Sequence, residues 1–328
     1  MKKIRWGIIG TGRIANTFAK AICSSKECEL TAVASRTKEK ACIFAEKYRA
    51  EKNYASYEEL ASDKEIDIVY IATPTASHYA DTMMCLKKGK SVLCEKPASL
   101  NREQLSRIIQ LAKEKDLFFM EAMWMKCNPV FKQALSWVKE GKIGTPKAVK
   151  ADFCSMCEYD ENDRLFRPDC GGGALLDLGV YTLTFACCFL GFYPDEISSN
   201  AVFGKSNVDM FNSIILRYKN GSHASLTTSF SMPCENGAVV FGEKGSIVFD
   251  RWFFCTDRVS LYDENNKLVE QVVIENKVNG YEYEVEEVNR CIREGINESV
   301  CVPHDETMAV MEIMDKCRKD WGFVYPGE

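Results

Sequence analysis

Histidine is scarce in this sequence, with only three in 328 residues. His78, His223 and His304 lie far apart along the chain, so neither a histidine metal cluster nor a Ser-His-Asp hydrolase has support. Runs of basic residues are missing too, and the net charge of -5 argues against a nucleic-acid partner. These absences disfavour histidine-based metalloenzymes, triad hydrolases and nucleic-acid-binding proteins.

Long apolar runs are equally rare. One uncharged apolar stretch, residues 178–194, is shorter than the ~18–20 residues that a membrane span needs, and it ends in proline. We interpret it as a buried helix and expect no membrane segment. Near the start of the chain Arg13 interrupts the first apolar run and no cleavage site follows, so we find no secretory signal.

Cysteine, by contrast, is abundant, with sixteen residues. They lie inside apolar runs of a long chain rather than in a disulfide-like framework, which indicates reduced thiols and a cytoplasmic protein. Only Cys154-Ser155-Met156-Cys157 has a metal-like spacing. It falls in a predicted strand, where residues three apart face opposite sides. We therefore predict no metal site.

The length predicts two domains, because single cores stop growing at ~250–300 residues. In residues 1–121 buried strands alternate with helices, which is typical of a doubly wound parallel sheet of the Rossmann type. Residues 122–328 predict a substrate-binding and oligomerisation domain of the α+β class with a large, mostly antiparallel open sheet, whose closing helices can pack back on the first domain. The strand-like runs are 4–9, 30–35, 66–72, 91–94 and 117–120 in the first domain and 147–157, 212–218, 223–230, 238–241, 247–249, 259–262 and 268–274 in the second.

The strongest motif follows the first strand and reads Gly10-Thr11-Gly12-Arg13-Ile14-Ala15. Gly10 permits a tight turn, Gly12 lets bare backbone approach a pyrophosphate, and Ala15 lets the next helix pack close to the strand. The N–H groups and the positive dipole end of that helix attract phosphates. We predict a dinucleotide site that includes Gly10, Gly12, Arg13 and Ile14.

The residues after the second strand bear on the choice between NADP and NAD. A carboxylate there would bind the ribose 2′-hydroxyl of NAD, whereas an arginine accommodates the 2′-phosphate of NADP. The chain has Ser35-Arg36-Thr37 and then Lys40, with no carboxylate at the strand end. We predict an NADP preference with NAD possible; the alternative is a solvated arginine at a helix start.

Two further turns follow strands of the first domain and are predicted to face the cofactor crevice, because ligands bind beyond the carboxyl ends of such strands. One contains Thr73 and Pro74, with His78 in the next helix; the other contains Glu95 and Lys96. The alternatives are a surface lysine for Lys96 and a packing or capping role for His78.

A second candidate cluster lies after the glycines at 171–173. Asp177 and Tyr181 are four residues apart and so share one face of an otherwise apolar helix. A buried carboxylate needs a partner, and Lys96 or a polyol would serve. The alternative is an aspartate that caps its own helix.

Taken together, Gly10-Thr11-Gly12, Glu95-Lys96-Pro97 and the run 172–181 resemble the Gfo/Idh/MocA oxidoreductase family in order and spacing. The similarity spans essentially the whole chain. The runs 121–124 and 283–295 resemble its dihydrodiol dehydrogenase and NADP-dependent D-xylose dehydrogenase branch most. Tyr181 agrees with that branch, because the inositol dehydrogenase branch has histidine at this place.

The resemblance implies hydride transfer between nicotinamide and a secondary alcohol or carbonyl of a small sugar, polyol or trans-dihydrodiol. It implies that Lys96 and Tyr181 contact the reacting oxygen and that Asp177 orients Lys96 or a neighbouring hydroxyl. An adjacent ammonium would favour a tyrosine phenolate, but the sequence leaves open which of the two moves the proton. Relatives also suggest a homodimer or a higher homo-oligomer.

Aromatic residues supply candidates for a substrate-pocket wall, namely Trp124, Phe153, Trp252 and Phe254. Their alternative role is ordinary core packing. Two alternative functions also stay open: a non-catalytic regulator that senses a dinucleotide, and a dehydratase or glycosidase that uses bound NAD as a transient oxidant.

Overall fold

The computed structural model describes residues 2–328, which fold into two compact units. The first unit consists of Met1–Cys127 and Asn276–Thr307, and the second of Asn128–Glu275 and Met308–Glu328. The first unit is therefore discontinuous, since a segment from late in the chain folds with the N-terminal part.

Six parallel strands form the sheet of the first unit: β1 (Ile4–Ile9), β2 (Cys28–Ala34), β3 (Lys52–Tyr54), β4 (Ile68–Ile71), β5 (Ser91–Glu95) and β6 (Phe119–Ala122). Their spatial order, β3-β2-β1-β4-β5-β6, reverses between β1 and β4, as in a doubly wound fold. The predicted Rossmann-type sheet is confirmed. The sequence patterns do not predict β3, because Lys52-Asn53-Tyr54 is short and has no apolar run.

Five helices connect these strands: α1 (Arg13–Ser24), α2 (Lys38–Tyr48), α3 (Tyr57–Ser62), α4 (Thr75–Lys87) and α5 (Arg102–Glu114). In α1 the buried residues recur at helical spacing, and Phe18 and Ile22 share the face that meets the sheet. The Phe18 ring stacks on Tyr70 of β4 with centroids 3.8 Å apart. The sheet and its helices thus bury one continuous apolar layer.

The second unit begins with α6 (Pro129–Lys139), whose N-terminus is capped by the Asn128 side chain accepting from Val130 N–H at 2.8 Å. Eight strands follow: β7 (Pro146–Cys154), β8 (Glu196–Phe203), β9 (Asp209–Arg217), β10 (His223–Ser229), β11 (Ala238–Gly242), β12 (Gly245–Phe249), β13 (Arg258–Asp263) and β14 (Leu268–Val273). They form one sheet in the order β14-β13-β12-β11-β7-β10-β9-β8, antiparallel except for the parallel pair β7 and β10. The predicted, mostly antiparallel sheet is confirmed. β8 was not among the predicted strands, because it is an edge strand without a continuous apolar run, and none of its residues is fully buried.

Helix α7 (Val180–Leu190) lies between β7 and β8 in sequence and packs against β7 and β10. Nearly all of its residues are buried, in agreement with its interpretation as a buried helix. By length and composition, the helical stretch Pro168–Leu190 is the one candidate membrane span in the part of the chain that the structure describes, and 83% of its most apolar window is buried. The core helix of a soluble protein passes the same test.

Two helices close the chain, α8 (Glu282–Glu294) and α9 (His304–Trp321). α8 belongs to the first unit, where it packs on α1. The indole N–H of Trp6 donates to Asn289 Oδ1 at 3.0 Å, and the Tyr281 ring meets Phe18 edge-on. These contacts make α8 a structural part of the Rossmann unit.

Candidate active site

The glycine turn after β1 leaves an open helix N-terminus. Gly10 has a φ of +97°, and a Cβ there would lie 2.6 Å from the carbonyl oxygen of Ala72, so only glycine fits. No side chain in the described part of the chain caps α1 at Gly12, and a Cβ on Gly12 would meet nothing within 4 Å. The first turn of α1, with Arg13 and Ile14, thus offers N–H groups to clear space. This arrangement fits the pyrophosphate of a dinucleotide.

Two cations stand beyond the end of β2. Arg36 follows the strand and Lys40 lies in the first turn of α2, and both side chains are exposed. The Thr37 hydroxyl caps α2 by accepting from Lys40 N–H at 3.4 Å, which fixes the start of the helix. The structure therefore places Arg36 and Lys40 where the fold brings an adenine ribose.

Lys96 lies in the turn that follows β5, and hydrogen bonds that involve Tyr70, Glu95 and Glu121 fix this turn. The Tyr70 hydroxyl donates to Glu95 Oε1, and Lys96 N–H donates to Glu95 Oε2 at 3.3 Å. Ala98 N–H donates to Glu121 Oε1 at 3.0 Å. The backbone on both sides of Lys96 is thus fixed by buried carboxyl groups.

His78 joins this turn to the one that contains Thr73 and Pro74. The His78 ring is buried; its Nδ1 lies 2.7 Å from the carbonyl oxygen of Pro97, and its Nε2 lies 2.8 Å from that of Thr73. Each ring nitrogen thus lies within hydrogen-bond distance of a backbone carbonyl of a different turn. The ring therefore clasps the two turns. The sequence offered a packing role for His78; the structure shows this more specific one.

Two buried glutamates of the first unit lie near the Lys96 turn, and sequence reasoning did not select them as site residues. Burial raises the pKa of Glu121 to about 7, although Ala98 N–H, Lys126 and Lys96 oppose the rise. Burial, with the charges of Glu95 and Glu121, raises the pKa of Glu284 well above its ordinary value. The sequence did carry a signal for a special role of these two glutamates. Glu121 interrupts a short apolar strand, and Glu284 occupies a position on the buried face of the amphipathic helix α8.

Asp177 and Tyr181 lie on a helix that begins with a π-helical turn, Leu175–Gly179, and continues as α7. Single π turns are frequent at functional sites. The turn is anchored by the buried carboxyl of Asp209, whose Oδ2 accepts from Leu175 N–H at 2.7 Å. Gly173 has a φ of +118°, and a Cβ there would clash with Asp209 Oδ1. Gly173 therefore permits the close approach of the Asp209 carboxyl that anchors the start of the helix.

Within the second unit Asp177 forms an ion pair with Arg164, whose Nη1 lies 3.1 Å from Asp177 Oδ1. The sequence analysis did not select Arg164, which lies in a short 3-10 turn without a strong pattern. Its neighbourhood is fixed by the glycine run, since Gly173 N–H donates to the Leu165 carbonyl at 3.0 Å. Lys96 belongs to the first unit, so its predicted pairing with Asp177 stays a prediction.

Three of the four predicted pocket aromatics gather around Tyr181. Phe153 stacks on Phe254 at 4.3 Å between centroids, and both lie near the Tyr181 ring, at 5.8 and 5.1 Å. Trp252 meets Phe153 edge-on at 6.2 Å. Trp124 instead belongs to the first unit, where its ring stacks on Tyr281 at 4.0 Å.

The structure thus holds the predicted residues in two sets, one in each unit. Residues 2–328 contain no group of three or more His, Cys, Asp or Glu side chains that could hold a metal ion. No disulfide joins any of the cysteines in residues 2–328. The chemistry of the first set suits a dinucleotide, and that of the second suits a small molecule with apolar and hydroxyl groups.

Comparison with known families gives two matches along the chain. A model described as an oxidoreductase family with an NAD-binding Rossmann fold, Gfo/Idh/MocA, matches residues 4–123. A Gfo/Idh/MocA C-terminal domain matches residues 131–248.

Similar proteins cover nearly the full length. Trans-1,2-dihydrobenzene-1,2-diol dehydrogenase of Mus musculus is 34% identical, over 98% of this chain and 98% of its own, and the Homo sapiens protein of the same name is 31% identical with the same coverage. Among solved structures, a 3-ketoreductase from Actinomadura kijaniata in complex with NADP and TDP-benzene superposes with a TM-score of 0.87 at 25% identity, covering 97% of this chain and 98% of its own. Levoglucosan dehydrogenase in complex with NADH and levoglucosan shares the fold, with a TM-score of 0.88 at 19% identity over 98% of each chain.

Proposed function

Because the chain belongs to the Gfo/Idh/MocA family of oxidoreductases, we propose that it is an NADP-dependent dehydrogenase or reductase of a small sugar, polyol or trans-dihydrodiol. The coarser assignment, an NAD(P)-dependent oxidoreductase acting on CH–OH groups, follows from the relatives themselves. The substrate class is supported by the name of the curated relatives, trans-1,2-dihydrobenzene-1,2-diol dehydrogenase.

The preference for NADP is supported above all by one observation, the exposed Arg36 and Lys40 at the end of β2. A 2′-phosphate would meet two cations there, and no carboxylate directly follows β2. The open N-terminus of α1 behind Gly10 and Gly12 would hold the pyrophosphate. The clasp of His78 on Thr73 and Pro97 would keep the two crevice turns in place.

The bound nicotinamide would supply or accept the hydride. Lys96 and Tyr181 would contact the reacting oxygen, and a lysine ammonium beside a tyrosine would favour the phenolate that a base requires. Asp177, held by Arg164, would orient Lys96 or a substrate hydroxyl. Phe153, Trp252 and Phe254 around Tyr181 would exclude water and shape the pocket. Trp124 stacks on Tyr281 in the first unit and stays a candidate for the wall of the substrate pocket.

The test is absorbance at 340 nm with NADPH, NADH, NADP and NAD against sugars, polyols, dihydrodiols and α-dicarbonyls. Lys96→Met and Tyr181→Phe should each lose at least ~100-fold in kcat while NADP still binds. The matched controls are Lys64→Met and Tyr193→Phe, which change exposed residues. Full turnover in both site variants would refute the assigned roles, and product without net change in cofactor absorbance would indicate transient oxidation by bound NAD.

We also propose a cytoplasmic homodimer or higher homo-oligomer. The lack of disulfides among the described residues supports the location, because oxidising compartments favour disulfides. Val202 and Ile215, at 59% and 40% exposure, supply apolar surface on the second sheet for self-association. Light scattering after size exclusion would measure the assembly, and a monomer at micromolar concentration would contradict it.

A further inference from the structure

Two cysteines of the second unit lie beside the same asparagine. Cys154 ends β7, and Cys234 lies in the loop between β10 and β11. The side-chain oxygen of Asn236 accepts from both of them, from Cys154 N–H at 2.6 Å and from the Cys234 thiol at 3.1 Å. Cys234 is also close enough for its thiol to raise the pKa of the Cys154 thiol. One buried asparagine thus fixes both residues.

From this geometry we propose that Cys154 and Cys234 are a thiol-oxidation site, at which a hydroperoxide forms a reversible disulfide. The two sulfurs differ in access. Cys154 is buried, whereas Cys234 is only half-buried and lines an open groove of about 420 Å³ with Lys150 and Asp152. The oxidant therefore meets Cys234 first.

The chemistry balances with one hydroperoxide per disulfide. The Cys234 sulfur attacks the peroxide, a sulfur–oxygen bond forms, the oxygen–oxygen bond breaks, and an alcohol or water leaves with the thiol proton. The Cys154 sulfur then attacks the sulfenic sulfur, the sulfur–oxygen bond breaks, and hydroxide leaves with the Cys154 proton as water. Both sulfurs are oxidised and the peroxide is reduced, and an external dithiol reverses the step.

The order of attack agrees with the local electrostatics. Burial, the hydrogen bond with Cys234 and the charge of Asp152 raise the pKa of the Cys154 thiol above its ordinary value. A thiol in that state is a poor first nucleophile, because only the thiolate reacts with peroxide. Proximity then supplies what Cys154 lacks in acidity, because Asn236 Oδ1 holds both residues side by side.

The site adjoins the aromatic cluster. Phe153 precedes Cys154, and its ring lies against Phe254 and Tyr181. A disulfide would remove the thiol hydrogen bond to Asn236, whose backbone carbonyl accepts from Phe253 N–H at 3.0 Å. Oxidation would thus shift the wall near Tyr181 and raise the KM for substrate with NADP affinity unchanged. This kinetic consequence rests on the proposed function; formation of the disulfide does not.

The experiment treats the full-length protein with hydrogen peroxide and maps its thiols. Wild type should lose two of its sixteen thiols. Tryptic digestion should yield peptide 151–164 linked to peptide 220–244, and dithiothreitol should separate them. Peptide 151–164 contains Cys157 as well as Cys154, so fragmentation must place the bond.

Four variants decide the outcome. Cys234→Ser and Cys154→Ser should both abolish the cross-link, and either result stands if the other variant does not fold. Cys157→Ser, in the same peptide, and Cys23→Ser, an exposed thiol, should leave it intact. A cross-link that persists in Cys154→Ser overturns the proposal, as does oxidation of exposed cysteines without any link between the two peptides. A disulfide without a change in KM would contradict only the role of the aromatic wall.

Discussion

Glu121 gives the sharpest test of how the first unit is built, because its buried carboxyl titrates near neutral pH. The ordinary pKa of 4.5 rises to about 7 through burial. Between those two values the folded chain holds a proton that the unfolded chain has lost, so stability falls as the pH rises through this window. At 1.36 kcal/mol for each pH unit of difference, the full cost is about 3 kcal/mol. Glu121→Gln removes the charge and keeps an oxygen for Ala98 N–H.

The expected result is a pH-dependent gain. Relative to wild type, the free energy of unfolding of Glu121→Gln should rise by about 2–3 kcal/mol between about pH 5 and about pH 8 and level off above that. Urea titration of the cofactor-free protein at each pH, followed by circular dichroism and tryptophan fluorescence, measures it. Glu59→Gln, an exposed change on α3, should show no such trend.

Glu284 supplies a second comparison, because its pKa lies well above the ordinary value. Glu284→Gln should therefore also gain stability over wild type as the pH rises above the ordinary pKa of 4.5. The stability difference between Glu121→Gln and wild type should differ between about pH 5 and about pH 8. The reasoning would be refuted if this difference stayed the same at the two pH values or shrank as the pH rose.

Three further predictions follow from the site geometry. Arg36→Ala should weaken NADPH binding by ~1.5–3 kcal/mol and leave NADH binding nearly unchanged, as measured by cofactor fluorescence; equal losses would contradict the NADP assignment. His78→Asn cannot reach both carbonyls of the clasp, so urea unfolding should show a loss of ~1–3 kcal/mol, and an unchanged value would exclude the clasp. Gly173→Ala meets Asp209 Oδ1 at a positive φ and should cost at least ~1–3 kcal/mol, with a lower Tm in calorimetry; wild-type stability would show that the glycine is dispensable.

The sequence predicts those parts of the fold that rest on local pattern. β1 matches the predicted run 4–9, and both sheets match their predicted classes, because buried strands have apolar runs of suitable length. β3 and β8 escape prediction because a short polar strand and an edge strand carry little apolar signal. The sequence analysis allowed the closing helices to pack on the first domain, but pattern alone does not assign α8 rather than α9 to it, since an amphipathic helix does not show which surface it covers.

The candidate site also contains residues that the sequence pattern predicts and residues that it does not predict. Gly10, Gly12 and Lys96 follow strand ends, and sequence order alone places them at the crevice edge. Arg164 could not be predicted, because its pairing with Asp177 depends on how an irregular loop folds over the glycine run. His78 was selected, but its clasp depends on two carbonyl groups that sequence does not position.

The split first unit has a consequence for biosynthesis. A ribosome releases the chain from its N-terminus, and N-terminal domains generally fold first. Here the contacts of Trp6 with Asn289 and of Phe18 with Tyr281 can form only after translation has passed residues 128–275 of the second unit. The nucleotide-binding half is begun first and completed late, so a gene fragment that stops at codon 127 would encode it without its closing helix.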